Sequence, residues 1–248
     1  MLPVLLSAVA GLVDVIGFLS LGLFTAHVTG NLVVIAALLV RGGPPNVAQV
    51  LAVPVFAGAV AAVWLVAKAS GRRGPGLVRP LLLIQFLLLA CVLALSVFSN
   101  PAANPRGSMR VMVAMTAVAA MACQFALLRL AVPGVPSTAV MTGNVTNSVL
   151  SLLDTLSPGR PLREGAEERL RSTLRVVGGF CAGCVAGAAA ASFLGAWAWS
   201  IPVALAGLAV AITADTATSR PSVSPIPSSN GRPGGGGMIL SVVNAGRR

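Results

Sequence analysis

Thr25-Ala26-His27-Val28-Thr29-Gly30-Asn31 and Thr138-Ala139-Val140-Met141-Thr142-Gly143-Asn144 are two copies of one polar signature, 113 residues apart inside apolar sequence. Gly weakens a helix, and Thr and Asn compete with its backbone for hydrogen bonds, so a Thr-Gly-Asn step fits poorly within a continuous apolar helix. Each copy therefore marks a helix break or a helix start. Duplicated halves with broken helices are how many transporters build a site at mid-membrane. The pair predicts such an architecture, with a candidate site between the copies, and names no substrate.

Around these steps the chain reads as membrane-embedded. Hydrophobic residues make up 56% of the 248 and charged residues 9%, and about 20 apolar residues suffice to cross a bilayer. Six runs meet that length: Leu2 to Phe24, Val50 to Ala69, Leu81 to Phe98, Val111 to Val132, Leu174 to Leu194 and Ala196 to Thr213. Leu32 to Val40 and Val145 to Leu153, which follow the two steps, are too short to cross alone. Ala8-Val9-Ala10 mimics a signal cleavage site, but no basic segment precedes it and the apolar run continues, so it stays in the first span. The net charge of +11 comes from loops between apolar runs, without aromatic interleaving and with no Tyr; this predicts positive-inside topology and no nucleic-acid partner. Cys91, Cys123, Cys181 and Cys184 all fall within the runs and read as small packing residues, so neither a disulfide framework nor a metal site is expected.

The predicted fold is an all-α integral membrane protein of six transmembrane helices. It comprises two inverted three-helix repeats, residues 1–100 and 109–213, each with a broken or re-entrant Thr-Gly-Asn segment. Phe56-Ala57-Gly58-Ala59 and Phe180-Cys181-Ala182-Gly183 extend the match between halves. A Pro-, Ser- and Gly-rich stretch at 214–248 reads as a disordered cytoplasmic tail. Six spans with both termini inside leave only Arg41, Arg106 and Arg110 of the 17 Lys and Arg outside, a stronger asymmetry than eight spans give. Because three is odd, the repeats are then inverted.

Within the spans, Asp14 is an ionisable group at an expensive location, which makes it a functional candidate or a structural hydrogen-bonding partner. Its place before the first break loosely resembles that of Gln124 before the second. His27, the only histidine, sits where a broken helix exposes backbone groups and reads as a proton relay, a ligand contact or a packing residue. Thr29, Gly30 and Asn31, with Thr142, Gly143 and Asn144, fit helix starts whose positive dipole ends suit an anionic or strongly polar group. They fit equally a pair of Gly-mediated helix crossings with capped ends. Pro133-Gly134-Val135-Pro136 enforces the second break, and Arg129 reads as an anchor on the cytoplasmic side. Gly179, Gly183 and Gly187 form a stripe for close helix packing, either intramolecular or at a homodimer seam. The loop Arg160 to Arg175 reads as a short surface helix.

The chain resembles the YoaK-like family of uncharacterised bacterial membrane proteins, the domain of unknown function 1275. The likeness rests on Asp14 with Phe18-Leu19-Ser20-Leu21-Gly22-Leu23-Phe24 leading into Thr25 to Asn31. It rests also on Gln124 and Arg129 followed by Pro136, Thr138 and Thr142-Gly143-Asn144-Val145-Thr146. It covers about residues 2 to 213. Family members often carry Asn after the glutamine, where this chain has Phe125. The resemblance implies a multi-pass protein of the bacterial inner membrane and supplies neither substrate nor catalytic residues.

The expected function is a secondary transporter or channel-like carrier of a small polar or anionic solute, with a proton as a second candidate cargo; the alternative is a non-transporting scaffold or sensor. The lipid bilayer is the expected partner. No cofactor is expected, and no motif for hydrolysis or nucleotide binding points to an enzyme.

Overall fold

The computed structural model describes residues 1–71, 74–99, 107–132, 141–156 and 166–218, and within them the chain is helical with no strand. Its helices are α1 (Leu2–Leu21), α2 (Thr29–Val40), α3 (Val47–Ala69), α4 (Val78–Ser99), α5 (Ser108–Ala131), α6 (Met141–Leu156), α7 (Ala166–Leu194) and α8 (Ser200–Thr218). Short 3-10 turns, Gly74–Leu77 and Gly195–Trp199, precede α4 and α8.

Local chemistry sets the boundaries. Pro3 opens α1, where a missing N–H costs nothing. Gly22 closes it in the left-handed conformation (φ 75°, ψ 25°), its N–H donating to Phe18 O, a termination that glycine adopts without Cβ strain. Asn46 and Gln49 form a capping box at the start of α3. Gly195, at φ 54°, bends the chain between α7 and α8.

Among the described residues, five stretches are long and apolar enough to cross a membrane: Leu2–Leu21, Val47–Ala69, Gly74–Ser99, Ser108–Ala131 and Leu170–Ala214. The last, of 45 residues, takes in both expected C-terminal runs. Two expectations shift. Residues 166–175 belong to the 29-residue α7 rather than to a separate surface helix, because the mixed-charge segment continues in helical phase into the apolar run. Helix α8 extends to Thr218, past the expected start of the tail; residues 219–248 lie outside the described residues. So do Thr138, Ala139 and Val140 of the second signature, and most of the loop joining the halves.

Contacts between named residues give the helix directions. Gly179, Gly183 and Gly187 meet Val4, Ala8 and Leu12, so α7 runs parallel to α1. Gln124 bonds to Leu6 and Arg110 to Leu21, so α5 is antiparallel to α1. Gln49 bonds to Gly22 at the far end of α1, while Val63 and Ala67 share a buried cluster with Leu6, so α3 is also antiparallel to α1, though it packs chiefly on α5. The glycine stripe is thus filled from within the chain, and a homodimer seam along it would require α1 to leave.

Polarity is inside out relative to a water-soluble protein. Ser7, Asp14, Thr25, Asn31, Gln49, Gln85, Ser96 and Gln124 are buried, while Leu32, Val33, Leu65, Val66, Leu87 and Phe193 are exposed. Lipid as solvent accounts for this distribution, since polar groups in the hydrocarbon region must be satisfied internally.

Candidate functional site

Asp14 organises the first break. After Gly22 the chain folds back along α1, and Gly17 makes room for it: a Cβ there would lie 2.9 Å from the Thr25 methyl. The backbone N–H groups of Thr25, Ala26 and His27 donate to Asp14 Oδ1 at 2.9, 2.6 and 3.3 Å. These donors precede α2 and have no helical acceptor of their own, so the carboxylate supplies what a regular helix would. Asp14 Oδ2 meets His27 Nδ1 at 2.5 Å. The imidazole rests edge-on against Phe180 of α7, ring centroids 5.2 Å apart, and Nε2 is buried with no partner among the described residues.

The Thr-Gly-Asn step does a second job. Asn31, fully buried, accepts from Phe24 N–H and donates to Phe24 O, both at 2.8 Å. Phe24 stacks on Phe18 at 4.8 Å, and a Cβ on Gly30 would meet the Phe24 ring at 3.0 Å. Gly30 therefore leaves space for the ring, while Asn31 holds its backbone. Thr29, at the helix start, is exposed. Neither Thr29 nor Asn31 caps α2, since the N-cap position falls on Val28 without a side-chain bond.

The second copy lies in the first described turn of α6, with Thr142 exposed, Gly143 intermediate and Asn144 buried, the same order as Thr29, Gly30 and Asn31. The two steps are not brought together, for α2 packs on α3 and α6 on α7. Gln124, upstream of residues 133–140, which lie outside the described residues, joins neighbouring helices. Its Nε2 donates to Leu6 O at 2.9 Å and its Oε1 accepts from Gln85 Nε2 at 2.7 Å, which ties α5 to α1 and α4.

Sequence reading missed Gln85, a lone polar residue in an apolar run and fully buried; its position in a span was the available signal. It also missed Arg110, Asn46 and Gln49, which satisfy the carbonyls at the C-terminal end of α1 through Leu21 O and Gly22 O. The spacing Asn46-x-x-Gln49 was the cue for that pair.

Chemically, Asp14 Oδ1 is committed to the backbone, whereas the Oδ2–His27 pair retains one open position, Nε2. A neutral imidazole offers a lone pair there and a charged one offers a proton.

No curated protein and no solved structure matches this chain. The family model described as protein of unknown function (DUF1275) matches residues 2–212, nearly the whole helical region and both Thr-Gly-Asn steps. The chain belongs to that family.

Proposed function

We propose that this chain is a non-enzymatic, multi-pass carrier of the bacterial inner membrane that moves a small polar solute with a proton held by the Asp14–His27 pair. The observation carrying this reading is His27 Nε2, a buried polar atom with no partner among the described residues, on a ring paired with a buried carboxylate at a broken helix. A buried polar group left without a protein partner calls for a guest, water or solute. Asp14 already faces the N–H groups ahead of α2, so this half favours a proton-exchanging or neutral polar guest over an anion.

The reading takes the fold as six spans in two inverted repeats. Exchanging α1 with α5, α2 with α6, α3 with α7 and α4 with α8 maps the packing onto itself. Under it α1 on α7 becomes α5 on α3, α4 on α5 becomes α8 on α1, and α2 on α3 becomes α6 on α7. The antiparallel setting of α1 and α5 supports the inversion. Helices α2 and α6, about 18 and 24 Å long at 1.5 Å per residue, are shorter than the ~30 Å hydrocarbon core and serve as re-entrant elements. Lys68, Arg79, Arg129, Arg171 and Arg175 lie toward the end of the bundle where α1 starts, which supports a cytoplasmic setting for that end.

Purified protein in vesicles carrying an internal pH dye, challenged with a panel of small polar solutes, is expected to show solute-dependent proton movement. Asp14→Asn keeps an acceptor for the three N–H groups and should preserve the fold while abolishing that movement. Unchanged proton movement in Asp14→Asn would remove the pair from the mechanism. For topology, Gly76→Cys and Arg41→Cys, each in a background lacking the four native cysteines, should label from opposite sides with a membrane-impermeant thiol reagent. Arg41 is exposed and suits the test better than the adjacent Gly42, whose φ of 71° would strain a cysteine. Labelling of both from one side rules out six spans.

A second reading, a membrane scaffold or sensor without transport, has one observation in its favour: the Asn31 amide is consumed by Phe24 and faces no shared space. Proton and solute movement absent across the whole panel would select it.

A further inference from the structure

At the cation-rich end of the bundle, a half-open cavity of about 610 Å³ lies where α3, the turn before α4 and the end of α5 meet. Trp64, Ala67, Lys68, Gly71, Leu77 and Leu130 line it. The Lys68 ammonium stands over the Trp64 ring, 5.0 Å from its centroid, and meets no carboxylate among the described residues. Trp64 is half exposed, and Leu65 and Val66 beside it turn more than half their surface outward. Beyond the cavity, exposed Arg79 and Arg129 stand two residues after Leu77 and one before Leu130.

We propose that this cavity binds the phosphodiester headgroup of an anionic phospholipid, with the phosphate on Lys68, the headgroup against Trp64 and an acyl chain along the exposed apolar side of α3. The chemistry selects a lipid over a free phosphate. Among the described residues the lining carries one charged side chain, Lys68. Its floor, Ala67, Leu77 and Leu130, is apolar, and the outer wall continues onto the bilayer-facing surface of a candidate span. An aromatic ring and a cation at the end of a span are the usual furniture of a headgroup layer, and basic pockets between helices on the cytoplasmic side take anionic headgroups. The inference needs the chain to lie in a membrane and does not need it to transport anything.

The test is thermal unfolding of the full chain in a neutral detergent with phosphatidylglycerol, phosphatidylcholine or inorganic phosphate added. Phosphatidylglycerol well above its dissociation constant is expected to raise the midpoint by about 5 °C, with no shift from the other two. Lys68→Gln should abolish the shift while leaving the lipid-free midpoint unchanged, because the side chain is exposed, and Lys68→Arg should retain it. Native mass spectrometry should count a retained anionic lipid on the parent and Lys68→Arg but not on Lys68→Gln. An equal shift from phosphatidylcholine, or one that survives Lys68→Gln, would overturn the proposal; an equal shift from phosphate would overturn the lipid as ligand. Flotation of the protein with phosphatidylcholine vesicles separates these failures from failure of the membrane reading itself.

Discussion

Gly183→Val is expected to remove most of the folded protein from membranes, and any that remains should unfold far below the parent. A Cβ at position 183 overlaps the carbonyl of Ala8 and lies 3.0 Å from its Cα, so backbone faces backbone with no flexible side chain to yield. The same seam includes Gly179 on Val4, Gly187 on Leu12 and Gly11 on Phe180 and Cys184. Parting the helices at one point therefore loosens contacts along α1. Overpacking of this kind costs about 1–3 kcal/mol and sometimes more, and the concerted loss here argues for ~3 kcal/mol or above against a total stability of ~5–15 kcal/mol. Gly178→Ala is the internal control. A Cβ there meets nothing within 4 Å, so the change should be neutral or stabilise by up to ~1 kcal/mol through helix propensity. Abundance and thermal midpoint in detergent read both, and a parent-like midpoint for Gly183→Val would mean that α1 and α7 do not pack as described.

The stripe also shows how far the sequence carries. Glycines four apart must share one face of a helix, so close packing could be read directly, but which helix fills the face depends on contacts some 170 residues away. The first Thr-Gly-Asn step was legible as a helix start for a similar reason, being a local conflict with helix propensity. Its use was not legible. Phe24 looked like the end of an apolar span, and only the left-handed Gly22 beneath it reverses the chain and delivers the Phe24 backbone to Asn31. Asp14 stood out because a carboxylate in an apolar run is conspicuous. Its three backbone donors could be known only once the loop had folded back. Gln124, at a loosely similar spacing before the second step, joins α5 to α1 and α4, contacts that its place in the sequence does not reveal.

Asn31→Leu is expected to destabilise the protein before it alters any transport. Leucine removes the partner of Phe24 N–H and Phe24 O, bonds made by a fully buried Asn31 to a half-buried Phe24, and since a buried orphaned group costs about 1–3 kcal/mol, the loss should reach ~2 kcal/mol or more. Asn31→Asp keeps an acceptor for the N–H but offers the carbonyl an oxygen in place of a donor, and should also fall well below the parent. Thr29→Ala, at an exposed position of the same step, should change stability little. A further comparison isolates the lock from generic core damage. Gly30→Ala pushes on the Phe24 ring at 3.0 Å, so it and Asn31→Leu both release Phe24, and the double variant should lose less than the sum of the singles. Thermal midpoints of the four variants and the double variant decide the matter. If Asn31→Leu unfolds like the parent and yet stops solute movement, the amide serves a guest rather than Phe24, and the first Thr-Gly-Asn step returns to being a binding element.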